Sequence, residues 1–371
     1  MSQSVEDFAT AAADWLSEHR DEAPRDYGPI LPPDLADAAR RWQAILDEAG
    51  YSGIHWPIEY GGRGLTPAHH AAWVTACAMA QVPPFLNMVG TVLTGGSILA
   101  FGTDEQKAEH LPSICTGEKI WCQLFSEPEA GSDLAGLRTT AVRDGDRFVV
   151  NGQKLWCSNG RAADRGILMA RTDPAAAPHK GISFFLIDMA SPGIDTRPLR
   201  QMNGEAEFDE VFLTDVELPA DALLGPLNEG WNVGMATLTQ ERGFIGAAGI
   251  SLNRRLDALI ATSHDAGESD DLTNAALIDL WIRGKALWMA GQRQGPVASI
   301  LGSITKLGTT ELMFDVATFM ADAQGADGML DGPATANLLT APGARIAGGT
   351  SQVQRNLIGE RILGLPRERK S

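Results

Sequence analysis

The hydrophobic periodicity of this chain changes twice along its length, and that pattern limits the possible folds more than any other feature. Up to about residue 118 the apolar residues recur at helical spacing. Val5, Phe8, Ala12, Trp15 and Leu16 share one face of a first helix, and Leu35, Ala38, Ala39, Trp42, Ile45 and Leu46 share a face of a second. The second run opens after Pro32-Pro33 and stops at Gly50, a residue suited to the left-handed turn beyond a helix end. Residues 68–79 and 89–101 predict two more buried helices, and Thr103 with Gln106 forms a capping box at the head of a short one. From about Trp121 to Pro226 the period drops to two. RFVVNG, GILMART, GISFFLIDM and DEVFLTDVELP are rich in β-branched and aromatic residues and are separated by turn signals such as Asp144-Gly145 and Ser191-Pro192-Gly193. This predicts a small antiparallel barrel or sandwich. Beyond Gly230 long alanine-rich helical runs return at about 233–264, 274–294, 297–323 and 353–363, with short connections that suit a four-helix bundle. The expected fold class is α+β with three domains: all-helical over 1–118, β over 119–226 and a helical bundle over 227–371.

Composition excludes several functions. A length of 371 residues exceeds the ~100–150 residues of a typical single domain. The net charge of -17, with no basic run before the terminal RERK, argues against a nucleic-acid partner, which would need clustered Lys and Arg to displace counterions. The four cysteines (Cys77, Cys115, Cys122, Cys157) form no C-x-x-C pair, and the seven histidines are scattered, so neither a disulfide framework nor a metal site is expected. The N-terminal MSQSVEDFATAAADWL is acidic and amphipathic, unlike a signal peptide, and no run reaches the ~20 apolar residues that span a bilayer. A cytoplasmic location without membrane insertion is the expectation.

Two polar, turn-rich stretches interrupt the apolar pattern: QLFSEPEAGSD (residues 123–133) and NGQKLWCSNG (residues 151–160). Each sets hydroxyls and small residues beside apolar neighbours, as a backbone-lined ligand seat would. Read together, S-E-P-x-A-G-S-D and N-G-x-K-x-W-x-S-N-G resemble the acyl-CoA dehydrogenase family of flavoproteins. GIHWPIEYGGRGLTP resembles that family's W-P-x-x-Y-G-G-x-G loop, although its glycines alone indicate only a rigid turn. QGADG resembles a Q-x-x-G-x-x-G loop, and GGTSQVQRNLIGERILGLPR resembles the family's C-terminal segment. The resemblance covers almost the whole chain. It implies an N-terminal helical domain, a middle antiparallel β-barrel and a C-terminal four-helix bundle. It also implies FAD as cofactor, an acyl-CoA substrate, and an electron-transferring flavoprotein as oxidant.

By the same resemblance, Gln123, Leu124 and Ser126 would meet the flavin ring edge, and Trp156, Cys157 and Ser158 would cover its other side. Ser132 would lie near both the ring and the start of the CoA chain. Gln324, Gly325 and Gly328 would approach the pyrophosphate, with Thr350 and Gln352 near the dinucleotide. The chain departs from the family pattern at the proton acceptor. Where I-Y-E-G-T usually carries a glutamate, it reads Ile346, Ala347, Gly348, Gly349, Thr350. Other branches place the base in an L-x-x-E-R pattern on a bundle helix, and Leu238-Thr239-Gln240-Glu241-Arg242 matches it, which makes Glu241 the candidate base and Arg242 a candidate CoA contact. The bland alternative is that Glu241 and Arg242 form a solvated helix pair. Gly348 keeps a backbone N–H that could donate to the thioester oxygen, and the Ala347-Gly348-Gly349 run leaves room for a bulky or branched acyl group. An R-x-x-F-G segment common in the family is missing between Leu252 and Leu307, which resembles branches that pair two unlike chains, some of them acting on sterol side-chain thioesters. A homotetramer and a heterotetramer both fit. A non-catalytic partner subunit and a flavin oxidase or monooxygenase on the same fold remain as alternatives.

Overall fold

The computed structural model describes residues 3–25, 30–266, 271–291, 293 and 298–366. Its internal contacts divide the chain into two compact units, Met1–Gln240 and Glu241–Ser371.

The first unit begins with helices α1 (Val5–His19), α2 (Ala36–Glu48) and α3 (Pro67–Ala80). Ser4 caps α1 by accepting the Asp7 N–H at 3.1 Å. The predicted apolar stripe faces inward: Phe8, Ala12 and Leu16 pack with Trp42, Leu46, Tyr51 and Trp73. A π-helical stretch, Val89–Thr94, runs into α4 (Gly95–Phe101), and α5 (Asp104–Cys115) follows. The Thr103/Gln106 capping box forms as expected. Gln106 also donates to the carbonyls of Asp221 and Leu223 at 2.7 and 3.0 Å, which ties the helical layer to the chain leaving the last strand.

The strands are β1 (Trp121–Leu124), β2 (Thr140–Asp144), β3 (Arg147–Ser158), β4 (Arg165–Arg171), β5 (Ile182–Asp188), β6 (Ile194–Leu199) and β7 (Phe208–Pro219). They form one sheet in the order β1-β4-β2-β3-β7-β6, with β5 on β4. The expectation of a purely antiparallel sheet is corrected here: β1 and β2 both run parallel to β4. β2 and β3 are antiparallel because a two-residue turn with Gly145 at φ 65 joins them. β1 reaches β4 only after the chain has passed through β2 and β3, so no hairpin dictates its direction.

Asn87 links the helices to the sheet. Its Oδ1 accepts the N–H groups of Gly90 (2.6 Å) and Trp121 (3.2 Å), and its Nδ2 donates to Asn159 Oδ1 at 3.1 Å. The starts of the π-helical stretch and of β1 are thereby fixed against the residue just beyond β3. Helix α6 (Gly230–Ala266) then begins, and its Thr237 hydroxyl meets Ser97 of α4 at 2.7 Å.

In the second unit α6 continues and is followed by α7 (Asp271–Gly291), α8 (Ala298–Ala323), α9 (Pro333–Ile346) and α10 (Ser351–Leu357). Leu252 and Leu256 of α6, Leu280 of α7, and Leu312 and Val316 of α8 form its core. Gly284 lets α6 and α7 approach closely, since a Cβ there would lie 2.7 Å from the Leu256 side chain. Asn253 exploits that approach, donating across to the Gly284 carbonyl at 3.0 Å. Helix α9 was not predicted; Pro333 occupies its first turn and Pro342 lies inside it. Among the described residues, no helix is long and apolar enough to cross a membrane.

Candidate functional site

The two polar stretches are bonded to each other. The Leu155 N–H donates to the Ser126 carbonyl at 2.8 Å, and Lys154 Nζ donates to the Phe125 carbonyl at 3.0 Å and to the Glu127 carboxylate at 2.8 Å. Glu127 also accepts the N–H groups of Arg138 (2.6 Å) and Thr139 (3.0 Å). Lys154 is 0% exposed and Glu127 8%. Burial alone would raise the Glu127 pKa, but the Lys154 charge and these hydrogen bonds hold it below the ordinary carboxylate value. Glu127 and Ala130 exchange both backbone hydrogen bonds, closing the S-E-P-E-A turn. This buried pair therefore clamps the turn of the first stretch to β3. Neither residue was singled out from the sequence, yet a signal was present. Lys154 follows Phe148 and Val150 on the inward face of a strand, and a charge there must be paired.

Just past the clamp the β3–β7 register breaks between Lys154 and Cys157. The break turns Trp156 outward: it has φ 60, is 52% exposed and meets Phe208 edge-on at 5.8 Å between ring centroids. A bulky side chain at positive φ is costly, so the surrounding register has to impose it. The same break turns Cys157 inward, where it is fully buried and burial pushes its thiol pKa well up. Of the residues expected beside the flavin, Cys157 and the equally buried Leu124 can offer only main-chain atoms. Gln123, Ser126 and Ser158 are half-buried, and Ser132 is exposed in the turn that follows. The Ser126 N–H has no acceptor among the described residues. An outward aromatic face on an imposed bulge, beside a free amide hydrogen and half-buried hydroxyls, fits a flat ring with hydrogen-bonding edges such as a flavin.

The remaining expected residues belong to the second unit. Gln324 precedes a short 3-10 turn, Gly325–Met329; Gly325 has φ 56, and a Cβ on Gly328 would lie 2.1 Å from the Ala321 carbonyl oxygen. Gln324 and Gly325 are exposed. Thr350 caps α10, its hydroxyl accepting the Val353 N–H at 3.2 Å, and Gln352 is exposed beside it. Gly348 and Gly349 both have positive φ, 63 and 90, and the Gly348 N–H has no acceptor among the described residues. Glu241 and Arg242 lie on the backbone of α6, and their side chains fall outside the described residues. Among the described residues no group of three or more His, Cys, Asp or Glu could hold a metal ion.

Three family models match the chain: the acyl-CoA dehydrogenase N-terminal domain over residues 2–118, the middle domain over 122–216 and the C-terminal domain over 228–363. The chain is 36% identical to "Acyl-CoA dehydrogenase IpdE1" of Mycobacterium tuberculosis, an alignment spanning 99% of this chain and 100% of that protein. Among solved structures it resembles a "Tcur3481-Tcur3483 steroid ACAD" (TM-score 0.84, 25% identity, 98% of this chain and 98% of that one). It also resembles a glutaryl-CoA dehydrogenase from Mycobacterium smegmatis solved in complex with FADH2 (TM-score 0.77, 25% identity, 100% and 97% covered).

Proposed function

The chain belongs to the acyl-CoA dehydrogenase family and is an oxidoreductase; on that premise we propose that it removes the α and β hydrogens of a bulky or branched acyl-CoA thioester using FAD. The observation that carries this reading is the outward Trp156, held on its bulge by the Glu127–Lys154 clamp beside Ser126. We read β1–β7 as the family's barrel and residues 227–371 as its four-helix-bundle domain, with domain boundaries at 118/119 and 226/227.

In this reading Trp156 would cover the isoalloxazine, and the main chain of Gln123, Leu124 and Cys157 with the hydroxyls of Ser126 and Ser158 would hydrogen-bond its polar edges. The exposed backbone at Gln324 and Gly325, in the turn that the buried Gly328 closes, would approach the pyrophosphate, and Thr350 and Gln352 would lie near the rest of the dinucleotide. Bound FAD supplies the oxidant that receives the β hydrogen as hydride. Glu241 takes the α proton. The Gly348 N–H donates to the thioester oxygen, an interaction that strengthens as enolate charge develops there and so lowers the barrier. Ser132 and Arg242 would contact CoA, and an electron-transferring flavoprotein would be the external oxidant.

The test is purification of the chain alone, followed by a screen of CoA thioesters for bleaching of the flavin absorbance. A yellow protein that bleaches with branched or polycyclic thioesters is the expected result. A second reading, a non-catalytic subunit completing the site of an unlike chain, draws on Gly348 replacing the usual glutamate and on the two-component name of the steroid ACAD relative. A chain that stays colourless until co-expressed with a second dehydrogenase-like chain would favour that reading. Rapid reoxidation by air would instead favour a flavin oxidase or monooxygenase.

Restoring a carboxylate at Gly348 tests the origin of the pocket's shape. Gly348→Glu places an L-residue at φ 63, costing about 1–2 kcal/mol of stability, and it adds a side chain where the glycine has none. Branched thioesters should lose kcat/KM relative to linear ones. An unchanged ratio would show that the pocket is not shaped at this position.

A further inference from the structure

Two buried side chains fix the backbone on which the Gly348 donor sits, and their geometry goes beyond what the family pattern assigns. Lys306, on α8, is 0% exposed, and its Nζ donates to the Gly349 carbonyl at 2.7 Å and to the Ala344 carbonyl at 3.4 Å. Gln354, on α10, is also 0% exposed, and its Nε2 donates to the Gly348 carbonyl at 2.9 Å. On the other side, the Ala347 N–H is held by the Gly343 carbonyl at 2.9 Å at the end of α9. The peptide that carries the Gly348 N–H therefore lies between two anchored peptide planes.

Two consecutive glycines would otherwise sample a wide range of conformations, because neither carries a Cβ to restrict it. An enolate-stabilising donor lowers the barrier only if it is already aimed when the charge appears. Gly349 itself is shaped for the clamp, since a Cβ there would lie 2.7 Å from Gln354 Nε2.

We infer that Lys306 and Gln354 are positioning residues: by holding the Gly349 and Gly348 carbonyls toward α8 and α10, they preorganise the Gly348 N–H as the thioester-oxygen donor. The inference rests on the dehydrogenase reading above. It predicts that losing the clamp weakens acidification of the substrate α carbon while leaving thioester binding nearly intact.

The experiment uses the flavin-loaded protein, assembled with a partner chain if it needs one, and 3-thiaoctanoyl-CoA. The enolate of that probe gives a long-wavelength charge-transfer band with oxidised flavin, so titrating the band against pH reads the acidity of the bound α carbon without turnover. Lys306→Met keeps the length of the side chain and removes a buried charge, a change that buried sites often tolerate. Flavin content and thermal midpoint report whether it folds. The acidification should weaken by about 10–100-fold in Lys306→Met and in Gln354→Glu, with thioester affinity changing by less than about 3-fold, and Lys306→Arg should recover part of it. Variants that keep the wild-type band, affinity and pH midpoint would overturn the inference. A folded, flavin-loaded wild-type protein that binds the probe yet gives no band at any pH would overturn the dehydrogenase reading, and the inference with it.

Discussion

Glu241→Gln should lower kcat by about 10²–10⁴-fold, the range expected when a general base is lost, while KM and flavin content stay close to wild type. Glutamine keeps the size and hydrogen-bonding shape of the side chain but cannot accept the α proton. A selective fall in kcat is therefore the signature of a lost base, whereas a rise in KM alone would point to lost binding. The expectation follows from what stands at position 348. A glycine there supplies a backbone donor but no carboxylate to take a proton, so a dehydrogenase built on this chain must find its base elsewhere, and Glu241 is the residue that matches the L-x-x-E-R pattern. The measurement is steady-state turnover of the best thioester from the bleaching screen with an artificial electron acceptor, run alongside the flavin spectrum. Full activity in the variant would mean that another chain moves the proton, and the partner-subunit reading would replace this one.

How much of this was legible in the sequence differed from element to element, for physical reasons. The stripe Phe8, Ala12, Leu16 and the Thr103/Gln106 box could be read because burial period and capping chemistry are local. Strand β6 was missed because none of its residues Ile194–Leu199 is buried and they include Pro198, so its alternation is weak. Helix α9 was missed because Pro342 and Gly343 both lower helix propensity, and tertiary packing overrides them. Parallel pairing of β1 with β4 depends on strands far apart in the chain, which no window of residues reports. The two motif stretches were recognisable, but not what joins them. Glu127 and Lys154 lie 27 positions apart, and only the fold brings them within hydrogen-bonding distance.

Lys154→Met should be the most destabilising single change in the site. It leaves the Glu127 carboxylate buried with two backbone donors but no cation, and removing one partner of a buried pair costs about 3–5 kcal/mol. Chemical denaturation at pH 7 reads the loss, and flavin content should fall with it, because the Phe125 carbonyl loses its Lys154 donor and the turn carrying Ser126 loses its anchor to β3. Glu127→Gln/Lys154→Met should recover much of the stability, since it removes both charges together and leaves no ion unpaired. The pH dependence has a definite sign. Glu127 has a folded-state pKa held below its ordinary value of 4.5, so its contribution is complete above pH 4.5 and disappears as the pH falls through the folded value. The stability gap between wild type and Glu127→Gln should therefore be widest near neutral pH and narrow in acid below that value. A gap that stays constant from pH 7 down into that acid range would mean that the carboxylate gains nothing from Lys154, and that the bulge presenting Trp156 is held by the β3–β7 register alone.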